Sequence, residues 1–136
     1  MKKYNVSAVF DMSEKKILMC LRAKDPFKGK LNFVGGKVEA NETDDEAAYR
    51  ELYEETGISK DVISLTRVMD FKYYLSNIEL QVYCGKLKKD VKLKEEINKL
   101  LWVDRSENFC SDRFAGNCNI EHILRQIEYH RDKVLI

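Results

Sequence analysis

Glu51, Glu54 and Glu55 stand at i, i+3 and i+4, a spacing that on an α-helix sets three carboxylates on one face within reach of one another. They fall in the last turn and a half before Gly57, where the helix dipole is negative and each acid costs a few tenths to about 1 kcal/mol. No other residue on that face reads as a matching cation. A helix with good end signals that breaks the charge rule three times in one place is one in which function sets the residue types. A hard divalent cation supplies the missing partner: magnesium takes oxygen ligands, keeps several waters and bridges a few carboxylates to phosphate oxygens, and manganese accepts the same ligands. Without a cation, mutual repulsion raises at least one carboxylate pKa. The competing reading is a solvated acidic helix face, and the three glutamates alone do not exclude it.

The residues before the trio decide the matter. From Gly36 the chain runs five residues to Glu42, seven more, then Arg50-Glu51-Leu52-x-Glu54-Glu55-x-Gly57-Ile58. Seven fixed identities at about 7 per cent usage each match by chance roughly once in 10⁸ windows. The stretch resembles the Nudix box at every defining position. The resemblance implies a single α/β domain over residues 1–136, a Nudix-type α/β/α sandwich with a mixed β-sheet, and hydrolysis of a phosphoanhydride with Mg²⁺ or Mn²⁺. It makes Glu54 and Glu55 metal ligands, Glu51 a further ligand or the base that activates water, and the backbone carbonyl of Gly35 another ligand. Arg50 orients a glutamate of the set, in keeping with a guanidinium that holds carboxylates by a planar fork. Glu42 supports the loop, and Gly36 and Gly57 serve close backbone approach and the helix stop. Family members also place a base or ligand outside the box; Glu95 or Glu96 occupies a comparable place.

Substrate residues are read from the surroundings. Arg22, Lys24 and Lys37 are candidate phosphate contacts, with ordinary surface cations as the competing reading. The run Gly29 to Val38 resembles the approach to the box in enzymes that hydrolyse oxidised purine nucleoside triphosphates, which marks Asn32 as a base contact. Asn117 or Asn119 is a second, because an amide donates and accepts at once. Strand termination at Asn32 and helix capping at Asn119 compete with these roles. Phe33, Tyr73, Tyr74 and Phe114 are stacking candidates with core packing as the alternative. The expected reaction is cleavage of a purine nucleoside triphosphate, oxidised or not, to monophosphate and pyrophosphate. A dinucleoside polyphosphate or capped-RNA hydrolase is a second reading, to which Tyr74, sixteen residues past Ile58, lends weak support. A non-catalytic nucleotide-binding Nudix regulator is a third, disfavoured by the intact glutamate set. Against the ADP-ribose branch, the proline expected in a similar place is absent from this chain, since Pro26 is the only one.

Elements must hold these residues in place. Thr43-x-x-Glu46 has the capping-box form, with Asp44 and Asp45 near the positive end, and Gly57 closes the helix with Ile58 packing back. Strands are expected over Asn5–Asp11, Ile17–Leu21, Val62–Tyr74, Ile78–Leu87 and Leu100–Asp104, the last with Trp102 in the core. Lys88–Lys99 reads as a charged loop or frayed helix. A terminal helix over Asn119–Asp132 carries Ile120, Ile123, Leu124 and Ile127 as an apolar stripe.

A chain of 136 residues with 24 basic and 23 acidic side chains, net +1, has no long-range pull on polyanions. The partner expected is a small nucleotide, with no long nucleic acid and no membrane, in a monomer or homodimer. The start shows no secretory leader and no stretch reads as a span, which points to the cytoplasm. Cys20, Cys84, Cys110 and Cys118 form no C-x-x-C pair, so the expectation is free thiols with neither zinc nor a disulfide framework.

Overall fold

The protein is described by a computed structural model covering residues 1–136. Its elements are, in chain order, β1 (Lys2–Phe10), β2 (Lys16–Leu21), β3 (Leu31–Asn32), β4 (Val34–Lys37), α1 (Asp44–Thr56), β5 (Thr66–Tyr73), β6 (Ile78–Lys86), β7 (Lys99–Asp104), α2 (Asn119–Tyr129) and α3 (Arg131–Val134). The sheet runs β3-β2-β1-β6-β5, with β4 paired to β1 and β7 to β2. It is mixed, because β1 and β6 are parallel while the other pairs are antiparallel. β1 and β2 meet only at Phe10 and Ile17 before parting. That divergence lets β4 take Tyr4 to Ser7 of β1 while β7 takes the whole of β2.

Side-chain alternation sends β1 and β2 into two cores. Ala8, Phe10, Ile17 and Met19 join Ile120, Ile123, Leu124 and Ile127 of α2 on one face. Val9, Leu18 and Cys20 join Leu52 and Ile58 on the other, beneath α1. Helices therefore cover both faces, the expected three-layer arrangement. Polar Asn5 and Ser7, which an alternation argument leaves facing water, are buried because α1 lies over that face.

α1 forms where its end signals require. The Thr43 side chain accepts the Glu46 N–H and Glu46 returns the bond to the Thr43 N–H. At the other end Gly57 adopts φ 80°, a left-handed value that suits glycine, and its N–H donates to the Tyr53 carbonyl at 2.8 Å.

Several expectations are corrected. β1 begins at Lys2, because its parallel pairing with β6 starts there. Residues 62–65 are not strand: Val62 and Ile63 fill the core under α1, and ladder pairing begins at Thr66. Glycine-rich Val34–Lys37, passed over as a strand, forms β4 through its partner β1. The terminal helix stops at Tyr129 and a separate turn follows. Of the two readings of Lys88–Lys99 the loop holds: residues 88–98 have bends but no strand or helix, and Lys99 opens β7. Trp102 is half-buried and packs against the core under α1. Cys110 and Cys118 are disulfide-bonded, while Cys20 and Cys84 are buried free thiols. The pair escapes a motif reading because an irregular loop, with no fixed spacing, brings the two cysteines together.

Candidate active site

Arg50 is the hub of the glutamate helix. Its Nε and Nη2 donate to Glu42 Oε2 and Oε1 at 2.9 and 2.6 Å. Nη1 donates to Glu51 Oε1 and to Glu54 Oε2, each at 3.0 Å, and Nη2 also reaches the Lys37 carbonyl at 3.0 Å. The expectation that no cation serves the acidic face is therefore corrected. Arg50 lies four residues before Glu54, and its long side chain also reaches its sequence neighbour Glu51. Glu42 is locked by the Arg50 fork and by the Glu39 N–H at 2.8 Å, and these bonds hold its carboxyl at about 2. Charge-assisted, bidentate pairing of this kind fixes geometry as well as charge.

The three carboxylates differ in environment. Glu54 is the open one, with a side chain 49% exposed. Glu51 lies across Gly36, where an added Cβ would meet its carboxylate carbon and push that flexible side chain aside. Burial there raises the Glu51 pKa against the opposing pull of Arg50. Glu55 is the most enclosed. Burial pushes it up to about 7, although the Gly35 N–H donates to its Oε2 at 3.4 Å.

A cavity of about 230 Å³ opens beside them, lined by Glu51, Glu54, Glu55, Glu96, Ile97, Asn98 and Leu100. This separates the two candidates outside the box. Glu96 faces the cavity with the trio, whereas Glu95 Oε2 accepts the Leu100 N–H at 2.7 Å and closes the loop onto β7. Asn98, which had no sequence signal, also lines the cavity, and its Oδ1 accepts the Ala23 N–H at 3.0 Å.

The donor set fits a hard cation. Every charged side chain lining the cavity is a carboxylate, the ligand type that magnesium and manganese prefer. No trio of acidic, histidine or cysteine side chains closes on one centre. An open, one-sided arrangement suits an ion that retains waters and shares substrate oxygens better than it suits a caged structural ion.

The candidate substrate residues are spread more widely. Arg22 donates from Nε to the Pro26 carbonyl at 2.7 Å. Lys37 is exposed on β4. Asn32 uses Oδ1 to accept the Phe33 N–H at 2.8 Å and pairs with Cys20 of β2, whose thiol is raised to about 11 by burial and by the Glu55 charge. Leu31 and Phe33 point to the α2 core, so alternation puts Asn32 on the α1 side. Asn119 Nδ2 donates to the Tyr73 hydroxyl at 3.4 Å, and Tyr73 stacks with Phe71 at 6.4 Å between centroids. Asn119 is the first residue of α2 and not its cap, a position held by Cys118 without a side-chain bond. Asn117 is exposed in the preceding loop at φ 50°. Phe33 and Phe114 are core, and Tyr74 is 77% exposed at the β5–β6 turn.

Residues 1–118 match the model of the NUDIX domain, and the chain belongs to that family. Among curated relatives, an ADP-ribose pyrophosphatase of Methanocaldococcus jannaschii is 47% identical over 55 residues, 40% of this chain and 32% of that protein. An 8-oxo-dGTP diphosphatase of Escherichia coli is 36% identical over 75 residues, 54% of this chain and 58% of that one. These alignments span less than two thirds of the relatives' length. The fold is shared with a MutT structure described for Aliivibrio salmonicida and Vibrio cholerae, at TM-score 0.73, 22% identity and coverage of 94% of this chain and 98% of that one. It is shared too with a Caenorhabditis elegans Ap4A hydrolase, at TM-score 0.76, 15% identity and coverage of 97% and 98%.

Proposed function

We propose that this protein is a divalent-metal-dependent hydrolase that splits a phosphoanhydride bond of a nucleoside polyphosphate, with a purine nucleoside triphosphate, oxidised or not, as the leading substrate. The observation that carries the reading is the cavity walled by Glu51, Glu54, Glu55 and Glu96 and braced from behind by the Arg50–Glu42 pair. Glu51, Glu54, Glu55 and the Gly35 carbonyl would hold Mg²⁺ or Mn²⁺, which would neutralise phosphate charge and acidify a water. The chain's own residues do the rest. Arg50 keeps Glu51 and Glu54 from splaying apart. Glu96, facing the cavity and free of a backbone bond, takes the proton of the attacking water. Lys37 and Arg22 add positive charge toward the phosphates.

For the base, the Asn119–Tyr73 pair supports a nucleoside. It offers an amide donor and acceptor beside an aromatic platform, the combination that reads a purine edge and stacks its face. The test is incubation with MgCl₂, and separately with MnCl₂, and a panel of nucleoside triphosphates, 8-oxo-dGTP, diadenosine polyphosphates, ADP-ribose and nucleoside diphosphate sugars, with product identification. Monophosphate plus pyrophosphate from a triphosphate is expected; no turnover of any member with either metal sinks the proposal. In the same panel, Asn119→Ala is expected to change the ranking among bases by about tenfold with phosphate products unchanged. An unaltered ranking removes Asn119 from the site.

The two loop glutamates are told apart by a matched pair. Glu96→Gln is expected to lower kcat about 10²- to 10⁴-fold, the range for loss of a general base, with an unchanged melting temperature. Glu95→Gln is expected to keep kcat within a few-fold and to lower the melting temperature, since it weakens the bond to the Leu100 N–H. The opposite pattern transfers the role to Glu95.

A further inference from the structure

Asn5 is a costly residue for its place. It lies in β1, is 2% exposed, and stands between Gly36 of β4 and Gln81 of β6 in register. Its Nδ2 has no partner, and neither do Ser7 Oγ and Gln81 Oε1 on neighbouring positions of the same buried face. Each such orphan costs about 1–3 kcal/mol, so an apolar side chain would be cheaper. What the amide does accomplish is a single contact: Oδ1 accepts the Gly36 N–H at 3.3 Å.

That contact reaches two glutamates of the cavity. Gly36 is the floor on which the Glu51 carboxylate lies. The peptide group whose N–H Asn5 holds begins at Gly35, and Gly35 donates its own N–H to Glu55. A displacement of the Gly35–Gly36 peptide therefore moves the support of Glu51 and, through the Gly35 Cα that it shares with the preceding peptide, the N–H that donates to Glu55. β1 is in turn clamped against β6 by parallel pairing along its whole length, so Asn5 ties the glycine pair to the longest ladder of the sheet.

We propose that Asn5 is a positioning residue for the cation site, fixing the Gly35–Gly36 peptide so that Glu51 and Glu55 are set at their working separation before the ion arrives. This rests on the reading of the glutamates as cation ligands, but its first readout does not depend on it. Preorganised ligands bind more tightly because less ordering is left to be done on binding, and outer-shell partners of metal ligands characteristically alter affinity by about 10- to 100-fold.

The experiment compares wild type, Asn5→Leu, Asn5→Ala and Asn5→Asp. It follows amide exchange at Gly36 by NMR, Mn²⁺ affinity by calorimetric titration with MnCl₂, and thermal unfolding. Leucine and alanine remove the acceptor; aspartate keeps it. With either apolar variant, exchange at Gly36 is expected to quicken at least tenfold and Mn²⁺ to bind at least fivefold more weakly, while unfolding stays cooperative. Asn5→Asp is expected to restore protection at Gly36. If leucine fails to fold, alanine carries the test. Unchanged Gly36 exchange, or Mn²⁺ affinity altered less than fivefold in a folded apolar variant, overturns the proposal. Glu54→Gln titrated alongside separates the two readings. Wild-type Mn²⁺ affinity in Glu54→Gln counts against the cation site itself. Weakened affinity there with no change at Asn5→Leu counts against Asn5 alone.

Discussion

Glu54→Gln is expected to lower turnover by at least about 10²- to 10³-fold, the scale on which loss of one charged group at a reacting phosphate is felt. The fold should remain intact. Glu54 is the exposed member of the trio, and its only bond is to Arg50 Nη1 at 3.0 Å, which a glutamine oxygen can still accept. Substitutions at such positions shift stability within about 0.5 kcal/mol, so a melting curve beside the kinetics distinguishes lost chemistry from lost structure. The defect should lie in kcat at saturating nucleotide, and raising MgCl₂ should recover part of it, as expected for a weakened ligand set. Near-normal turnover would remove Glu54 from the cation site and leave Glu51, Glu55 and Glu96 to account for the cavity.

The helix that carries the candidate site is legible in the sequence because it depends on local rules. Thr43, Glu46 and Gly57 set both ends of α1, and the spacing of Glu51, Glu54 and Glu55 does the rest. The residues that were missed act across elements. Arg50 reads as an orienter of one glutamate, yet it ties Glu42, Glu51, Glu54 and the Lys37 carbonyl; two of those partners lie outside the helix, Glu42 in a loop whose path no periodicity reports and Lys37 on β4. Glu95 and Glu96 are indistinguishable in sequence and are separated by a single backbone bond. Asn5 and Ser7 look like the wet side of an alternating strand. They are dry only because α1 folds back over that face, a tertiary fact with no local signature. β4 was invisible for the related reason that glycine has weak strand propensity and is held there by pairing to β1.

The enclosure of Glu55 should make the metal-free protein less stable as pH rises from the acid range to neutrality. Its carboxyl is pushed from 4.5 to about 7, with burial the main cause. Below about 4.5 the group is neutral in both folded and unfolded chains and costs nothing. Above 7 it is charged in both, and the folded state bears the whole penalty. Stability is thus lost as pH rises from 4.5 through 7, with an upper bound of roughly 3–4 kcal/mol at 1.36 kcal/mol per pKa unit; water entering the cavity reduces this to about 1–2 kcal/mol. Glu51, also raised by burial, acts in the same direction. Glu42, held at about 2 by Arg50, acts oppositely, but its contribution is lost only as pH falls below the ordinary carboxyl range, outside the window. In EDTA, wild type should therefore melt several degrees higher at pH 5.5 than at pH 8. Glu55→Gln should flatten that difference and raise the melting temperature at pH 8, while losing the stabilisation that MgCl₂ confers on wild type by binding the folded state. A protein stabilised by mutation and deprived of its cation response is what a buried ligand carboxylate requires. Equal melting of wild type at the two pH values, together with a less stable variant, would show that Glu55 is an ordinary structural carboxylate.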